Sequence, residues 1–416
     1  MKKPWGFFLH PIVIYIKIIV SAFNSKKTVD FVTGSIKKGG LEVYMTAREK
    51  LLQLEDVYDQ EGSSEIFLQS MRDLVKHHMD NNKFFKDYMD REGFSPDEIK
   101  TEEDLAKIPF IHANFFKKYE VLSVDREKIT EHVTSSGTTG QKSQMFFDKD
   151  SFDFGNAMIE NEFRYYGFLS DEPTNYLLFT YEPAQTSKNL GTAKTDVGML
   201  SYAPVNDTFF ALRYNGQGHD FDVYGTIKAL EEYEESGLPV RIFGFPSFLY
   251  FTVKQMKDTN HRPLKLNPKS MTMLGGGWKG YADKQISKTE LYALVEEMLG
   301  IPESNCRDGY GSTEHSVPYF ECPKHHFHIP VYSRMIIRDV ETLKPLPLGK
   351  PGFANFITPH LLSVPAISVL MGDMAVMHDA KECGCGIKTP FMEILGRAGT
   401  SKAKSCAITA SELLKR

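Results

Sequence analysis

Cysteine is scarce in this 416-residue chain. The five residues Cys306, Cys322, Cys383, Cys385 and Cys406 are an odd number, all in the last third. That excludes the disulfide framework of a small secreted domain and points instead to metal ligation or a reactive thiol. A strong charge of one sign is also lacking. Forty-nine Lys and Arg stand against 54 Asp and Glu, a net charge of −5, which gives no broad electrostatic footprint for nucleic acid. The G-x-x-x-x-G-K-[ST] spacing of a Walker loop is absent. No internal repeat or low-complexity tract is visible. An unbroken apolar run is missing too. The first 25 residues come nearest, with Lys2-Lys3 ahead of Trp5-Gly6-Phe7-Phe8-Leu9 and Ile12-Val13-Ile14-Tyr15-Ile16, but His10, Pro11 and Lys17 interrupt them and no small-residue cleavage site follows. This is too broken for a membrane span or a signal peptide. The expectation is a cytoplasmic protein with membrane contact only through residues 1–25, or an upstream extension with Met45 as an alternative start.

What is present suits a globular enzyme. Hydrophobic residues make up 41% and charged residues 25%, and the length calls for two or three subdomains. The 30 Phe and 19 Tyr suit large cores or an apolar ligand tunnel. Apolar spacing predicts helices over 47–92, with a break at Phe94-Ser95-Pro96, and a capped helix start at Thr101. Helix 149–167, strand 175–180, helix 224–236, strand 240–244, helix 246–253, strand 270–274 and helix 287–299 then alternate, an α/β pattern with a largely parallel sheet. Residues 331–372 change character, with short strands at 334–338, 352–358 and 367–370 between Pro and Gly, and predict a small antiparallel barrel or sheet. Ligands bind beyond the carboxyl ends of parallel strands, where Gly244 and Gly275-Gly276-Gly277 fall. The aromatic run 243–251 could line an apolar channel or equally be core.

Four stretches carry chemistry. The first is Thr134-Ser135-Ser136-Gly137-Thr138-Thr139-Gly140-Gln141-Lys142-Ser143. Its glycines admit close backbone approach, its hydroxyls donate and its lysine supplies charge, so it can wrap phosphates; the plain alternative is a flexible linker. The others are Asp308-Gly309-Tyr310-Gly311-Ser312-Thr313-Glu314-His315, Met371-Gly372-Asp373 and Gly396-Arg397. Singly, Tyr310 reads as core, Glu314 as a helix N-terminal acid and Asp373 as a turn residue. A separate set, Cys322 and His328 with Cys383 and Cys385, would make a tetrahedral Cys₃His zinc site, with His325 or His326 as alternative nitrogen ligands. The competing reading is unrelated thiols and surface histidines.

In this order the four stretches resemble the adenylate-forming superfamily of acyl/aryl-CoA ligases, over about residues 45–416. Within it the chain resembles the acyl-protein synthetases of bioluminescence fatty-acid reductase systems. That likeness rests on Gln141-Lys142-Ser143, on Gly275-Gly276-Gly277-Trp278-Lys279, and on a cysteine soon after Gly396-Arg397. The resemblance implies two α/β subdomains with mainly parallel sheets plus a small β-barrel-like subdomain. An N-terminal extension (1–44) would precede a core (45–395), and a shortened C-terminal segment (396–416) would follow it.

The implied chemistry is attack of a carboxylate on the α-phosphate of ATP, giving an acyl-adenylate. Ser135, Ser136, Gly137, Thr138, Gly140 and Lys142 would hold the triphosphate. Thr139 and Glu314 would place Mg²⁺. Tyr310 would stack on adenine with Gly275, Gly276 and Gly311 close by. Thr313 would meet the α-phosphate, Asp373 the ribose hydroxyls and Arg397 the ribose or phosphate. Cys406, in the basic stretch Lys402-Ala403-Lys404-Ser405, would take the acyl group as a thioester; its alternative is a packed, unreactive thiol. The implied partners are a fatty or other carboxylic acid and an acyl reductase, acyl transferase or carrier protein. Some phenylacetate-CoA-ligase-like relatives carry comparable cysteines. The superfamily's C-terminal lysine has no counterpart here, and Gly399-Thr400 replaces the usual acid after Gly-Arg. These departures leave open a phenylacetate-type ligase, a biosynthetic adenylating enzyme, or an idle relative acting as a zinc-stabilised binding protein.

Overall fold

The computed structural model describes residues 35–38, 41–134, 143–183, 200–278 and 281–398, with side chains from residue 45 onward. Strands β1 (Ser35–Lys38) and β2 (Leu41–Tyr44) form an antiparallel hairpin. The helical stretch expected over 47–92 is three helices, α1 (Ala47–Leu51), α2 (Gln60–Asn81) and α3 (Lys83–Glu92). Short polar caps divide it. Thr46 and Glu49 form a capping box, Asp59 accepts from the Gly62 N–H, and Asn82 accepts from the Phe85 N–H. Gly93 ends α3 in the left-handed region. The helix start expected at Thr101 is a 3₁₀ helix, Glu102–Lys107, capped through Asp104.

A seven-stranded sheet forms the larger layer. Its members are β6 (Thr174–Tyr181), β7 (Val205–Tyr214), β8 (His219–Phe221), β9 (Val240–Gly244), β10 (Met271–Leu274), β11 (Cys306–Tyr310) and β12 (Tyr319–Phe320). The order is β12-β11-β10-β9-β6-β7-β8; the five central strands are parallel and the two edges antiparallel. Helices α5 (Val223–Ser236), α6 (Pro246–Asp258) and α7 (Lys288–Leu299) cover one face. Leu177, Phe179, Ile242 and Leu274 pack there with Leu230, Leu249, Val253 and Val295. Alternate residues Tyr176, Leu178, Phe243 and Met273 point the other way, into a core shared with α4 (Lys149–Tyr165). Burial on both faces is why these strands read as continuous apolar runs.

The second sheet contains β13 (Phe327–His328), β17 (Phe391–Arg397), β16 (Ser368–His378), β15 (Gly352–Ile357) and β14 (Arg334–Arg338) in that spatial order, all antiparallel. Strand β3 (Ile111–His112) joins β16 in parallel. The strand expected over 367–370 continues to His378, because Gly372 does not end it; the ladder with β17 shifts register between Met374 and Ala375. Strands β4 (Ile129–Thr134) and β5 (Gln144–Asp148) pair antiparallel on either side of residues 135–142. Among the described residues no helix is long and apolar enough to cross a membrane.

Candidate active site and metal centre

The carboxyl ends of β9, β10 and β11 meet in glycine turns. Gly244 has φ 123°, and a Cβ there would lie 2.4 Å from the Phe179 carbonyl oxygen, so only glycine fits. Its own carbonyl accepts from the Gly275 N–H at 3.0 Å. Gly275 and Gly276 are both buried, and Gly276 turns the chain with φ 85°.

Strand β11 ends at Tyr310 and enters a tightly bonded turn. Ser312 Oγ accepts from the His315 N–H at 3.2 Å, the Ser312 carbonyl accepts from the Ser316 N–H at 3.0 Å, and Ser316 Oγ donates to the Thr313 carbonyl at 2.7 Å. Gly311 is partly buried, whereas Thr313 and Glu314 are buried. Thr313 Oγ1 has no hydrogen-bond partner among the described residues. A buried hydroxyl left unpaired costs about 1–3 kcal/mol, so a ligand oxygen suits this position. Glu314 accepts a short hydrogen bond from Ser143 Oγ, which ties the exit of the hydroxyl-rich loop to this turn.

The second sheet reaches the same turn. Ser312 Oγ lies 3.9 Å from Met371 Sδ, and the Tyr310 ring lies 6.1 Å from that of Phe356 on β15. Two residues along β16 from Met371, Asp373 is paired in register with Arg397 on β17. Burial raises the Asp373 carboxyl above its ordinary range, opposed by Arg397 and by the positive charge of Lys117. Burial likewise raises the Tyr310 phenol, helped by the negative charge of Asp373.

Gly275, Gly276, Tyr310, Gly311, Thr313 and Glu314 therefore gather at one sheet's carboxyl end, with Asp373 and Arg397 beside them. Ser135, Ser136, Gly137, Thr138, Thr139, Gly140, Lys142 and Cys406 lie outside the described residues. Three supporting contacts escape a reading of the sequence. Ser143 looks like the end of a polar loop, Lys117 like a surface lysine, and Lys288 like an exposed first residue of a capped helix. Lys288 Nζ in fact sits 2.8 Å from Asp308 Oδ2 and 2.5 Å from Glu321 Oε1, while Glu321 Oε2 accepts from the Asp308 N–H at 2.9 Å. Burial works against the Lys288 charge, but the two carboxylates outweigh it and raise its pKa. No local spacing announces this pairing, because its members are far apart in sequence.

The four residues read as a metal set do converge. The ligand atoms of Cys322, His328, Cys383 and Cys385 all lie within 4.8 Å of one another. Cys322 Sγ is 3.5 Å from Cys383 Sγ, and Cys385 Sγ is 3.3 Å from His328 Nε2. A tetrahedral Zn²⁺ with Zn–S of ~2.3 Å would set ligand atoms roughly 3.5–3.8 Å apart. His328 Nδ1 donates to the Thr389 carbonyl at 2.6 Å, which fixes the tautomer and leaves Nε2 free to ligate. The N–H groups of Lys324 and Ile387 donate to the sulfurs of Cys322 and Cys385 at 3.3 and 3.4 Å, as support for thiolates. His326 stays near, its Nδ1 3.0 Å from Cys383 Sγ, whereas His325 turns to Glu321 and Glu303. Cys306 stands apart in the helical-face core, its thiol pushed up to about 12 by burial.

This architecture is that of the adenylate-forming ligases. An open conformation of 2-hydroxyisobutyryl-CoA ligase in complex with 2-HIB-AMP and CoA is similar over 85% of this chain and 79% of that one, with TM-score 0.57 at 14% identity. The same ligase in its postadenylation state gives TM-score 0.57 over 82% and 69%. The family model of the acyl-protein synthetases, LuxE, matches residues 52–415, and the chain belongs to that family. Long-chain-fatty-acid–luciferin-component ligases of Vibrio harveyi and Aliivibrio fischeri are similar to it. The first is 24% identical over 307 residues, 72% of this chain and 76% of the relative; the second is 23% identical over 314 residues, 73% and 78%. The chain is thus an ATP-dependent acyl-activating ligase.

Proposed function

We propose that this ligase activates a long-chain fatty acid and passes the acyl group to a thiol, its own Cys406. A carboxylate oxygen of the acid attacks the α-phosphorus of ATP, the bond to the bridging oxygen breaks, and pyrophosphate leaves. The thiolate of Cys406 then attacks the acyl carbonyl, and AMP leaves with the bonding pair. Rate in the first step comes from positioning and from charge stabilisation.

The assignments follow the chemistry of each group. Tyr310 presents a face for adenine. Asp373 can accept from both ribose hydroxyls, with Arg397 alongside. Thr313 donates its unpaired hydroxyl to the α-phosphate. Thr139 and Glu314 offer oxygen ligands for Mg²⁺, which when bound neutralises phosphate charge. Ser135, Ser136, Gly137, Thr138, Gly140 and Lys142 wrap the phosphates, and Gly275, Gly276 and Gly311 let the nucleotide approach. The tetrad takes Zn²⁺ as a structural ion. An acyl reductase fits as the next acceptor, since a thioester, unlike a free carboxylate, expels a thiolate when the reductase's hydride donor attacks its carbonyl. The observation that carries this reading is the buried, unpartnered Thr313 hydroxyl next to Glu314 at the end of the strand that bears Tyr310.

The test is incubation with labelled fatty acids, ATP and Mg²⁺. Hydroxylamine-sensitive label on the wild type, lost in Cys406→Ser while pyrophosphate release persists, is the expected result. Pyrophosphate release without label would overturn the role of Cys406. Absence of both with every acid would overturn the substrate class.

A further inference from the structure

The four metal-site residues come from two sheets. Cys322 follows β12, the edge of the seven-stranded sheet, and β12 pairs with β11 through Tyr310 opposite Tyr319 and Gly309 opposite Phe320. His328 lies on β13, the edge of the second sheet, opposite Phe391 of β17. Cys383 and Cys385 occupy the turn joining β16 to β17. That same hairpin carries Asp373 and Arg397 at its far end.

Near the nucleotide turn the two sheets also meet through side chains, with Tyr319 Oη 2.7 Å from Ser333 Oγ and the Phe356 ring against those of His315 and Tyr319; the metal set lies at the other end of this seam. Strands β12 and β13 have two residues each, and an isolated bridge between Glu321 and Phe327 spans the step between them. The Cys322 N–H donates to the His326 carbonyl at 2.9 Å, closing a small loop on one side. Phe391 is sandwiched between the rings of His326 and His378, at 4.2 and 4.9 Å, which puts the start of β17 against the tetrad. At the tetrad end, two-residue strands add few ladder bonds to the tie between the sheets. A tetrahedral ion bound by one thiolate from one side and three ligands from the other ties this end directly.

We infer that the Cys322–His328–Cys383–Cys385 centre is a clamp between the two sheets, and that it sets the position of Asp373 and Arg397 relative to Tyr310. The four residues are positioning residues for nucleotide. The inference rests on the metal and nucleotide readings above and goes further, because a purely local structural ion would leave nucleotide affinity alone. Cys385→Ser removes one ligand from the hairpin. His328→Cys keeps a tetrahedral donor set with four sulfurs.

The experiment uses the full chain. Zinc content is measured by elemental analysis, ATP·Mg²⁺ affinity by calorimetry, fatty-acid binding by fluorescence displacement, and amide exchange over 306–320 and 391–397 by mass spectrometry. Wild type should hold about one zinc per chain. Cys385→Ser should lose zinc and weaken ATP binding by roughly 3- to 30-fold, with faster exchange in both segments and unchanged acid affinity. His328→Cys should retain zinc and ATP affinity. Should Cys385→Ser fail to fold, reversible removal of zinc from the wild type with a chelator, followed by re-addition, gives the same comparison. Zinc lost with ATP affinity intact overturns the clamp but not the metal site. Wild type without zinc overturns both, and zinc-loaded wild type that does not bind ATP overturns the nucleotide reading on which the clamp depends.

Discussion

Asp373 and Arg397 face one another across the β16–β17 ladder, with Arg397 Nε 3.5 Å from Asp373 Oδ1. The carboxylate is nearly enclosed and the guanidinium mostly open to solvent. Burial raises the Asp373 carboxyl overall, and Arg397 and Lys117 oppose that rise. A carboxylate held this way accepts two hydroxyl hydrogen bonds, whereas an amide accepts at only one end. Asp373→Asn should raise the KM for ATP by roughly 10- to 100-fold, in line with about 1.5–3 kcal/mol for hydrogen bonds to a charged group. Initial rates against ATP at saturating acid measure it, and the KM for acid should stay within about twofold if only nucleotide contacts are lost.

Ser143 offers a second test. Its hydroxyl donates to Glu314, and both side chains are buried. Ser143→Ala leaves Glu314 without that donor and free to choose other rotamers. The expected result is a higher Mg²⁺ requirement and a loss of about 10-fold or more in kcat/KM for ATP, with Ser143→Thr restoring most of it. Equal loss at all Mg²⁺ concentrations in both variants would mean that the contact merely packs the turn.

Lys288 braces β11, the strand that ends at Tyr310. Removing its charge in Lys288→Met takes away the lysine shared by Asp308 and Glu321, leaving the fully buried Glu321 with Tyr292 and His325 as side-chain neighbours. Breaking one partner of a fully buried ion pair costs about 3–5 kcal/mol, and the cost here is smaller because nearly half of the Lys288 side chain meets solvent. The variant should unfold at clearly lower denaturant concentration than wild type. Adding Glu321→Gln should recover part of that loss, because it removes one of the two stranded charges.

Much of this was legible because it is local. The parallel sheet announced itself in apolar runs such as Asn175-Tyr176-Leu177-Leu178-Phe179, and the turns in Gly275-Gly276-Gly277. The Cys/His cluster was legible because cysteine is scarce and its chemistry narrow, and His328, preferred there over His325 and His326, is the histidine whose Nε2 lies among the thiols. What stayed hidden depends on distant chain segments. Ser143 meets Glu314 across 171 positions, and the alternation of Leu177 and Tyr176 between two cores depends on which helices cover which face. The continuation of β16 past Gly372 was missed because the Gly-Asp pair reads as a turn, while the neighbouring strands on both sides hold it extended.

Two buried histidines set how the fold responds to acid. His78 donates from Nε2 to the Leu361 carbonyl at 3.0 Å and accepts at Nδ1 from Ser123 at 2.7 Å. His360 donates from Nε2 to the Ser151 carbonyl at 2.8 Å. Both are neutral, because burial first and then neighbouring His77 and Arg48, respectively, lower each pKa to about 3. In the unfolded chain each would titrate near 6.5. Between about pH 6.5 and 3 the unfolded state binds more protons, so the stability these residues contribute is intact above that window and is lost as pH falls through it. At pH 5 each should cost roughly 2 kcal/mol relative to neutral pH. His78→Gln keeps a donor and an acceptor but cannot be protonated. It should be less stable than wild type at pH 7.5 because its hydrogen bonds fit less well, yet lose less stability between pH 7 and 5. Chemical denaturation at those pH values decides it: parallel losses in wild type and variant would mean that His78 does not drive the acid sensitivity, and a smaller loss in the variant assigns that share of it to the buried imidazole.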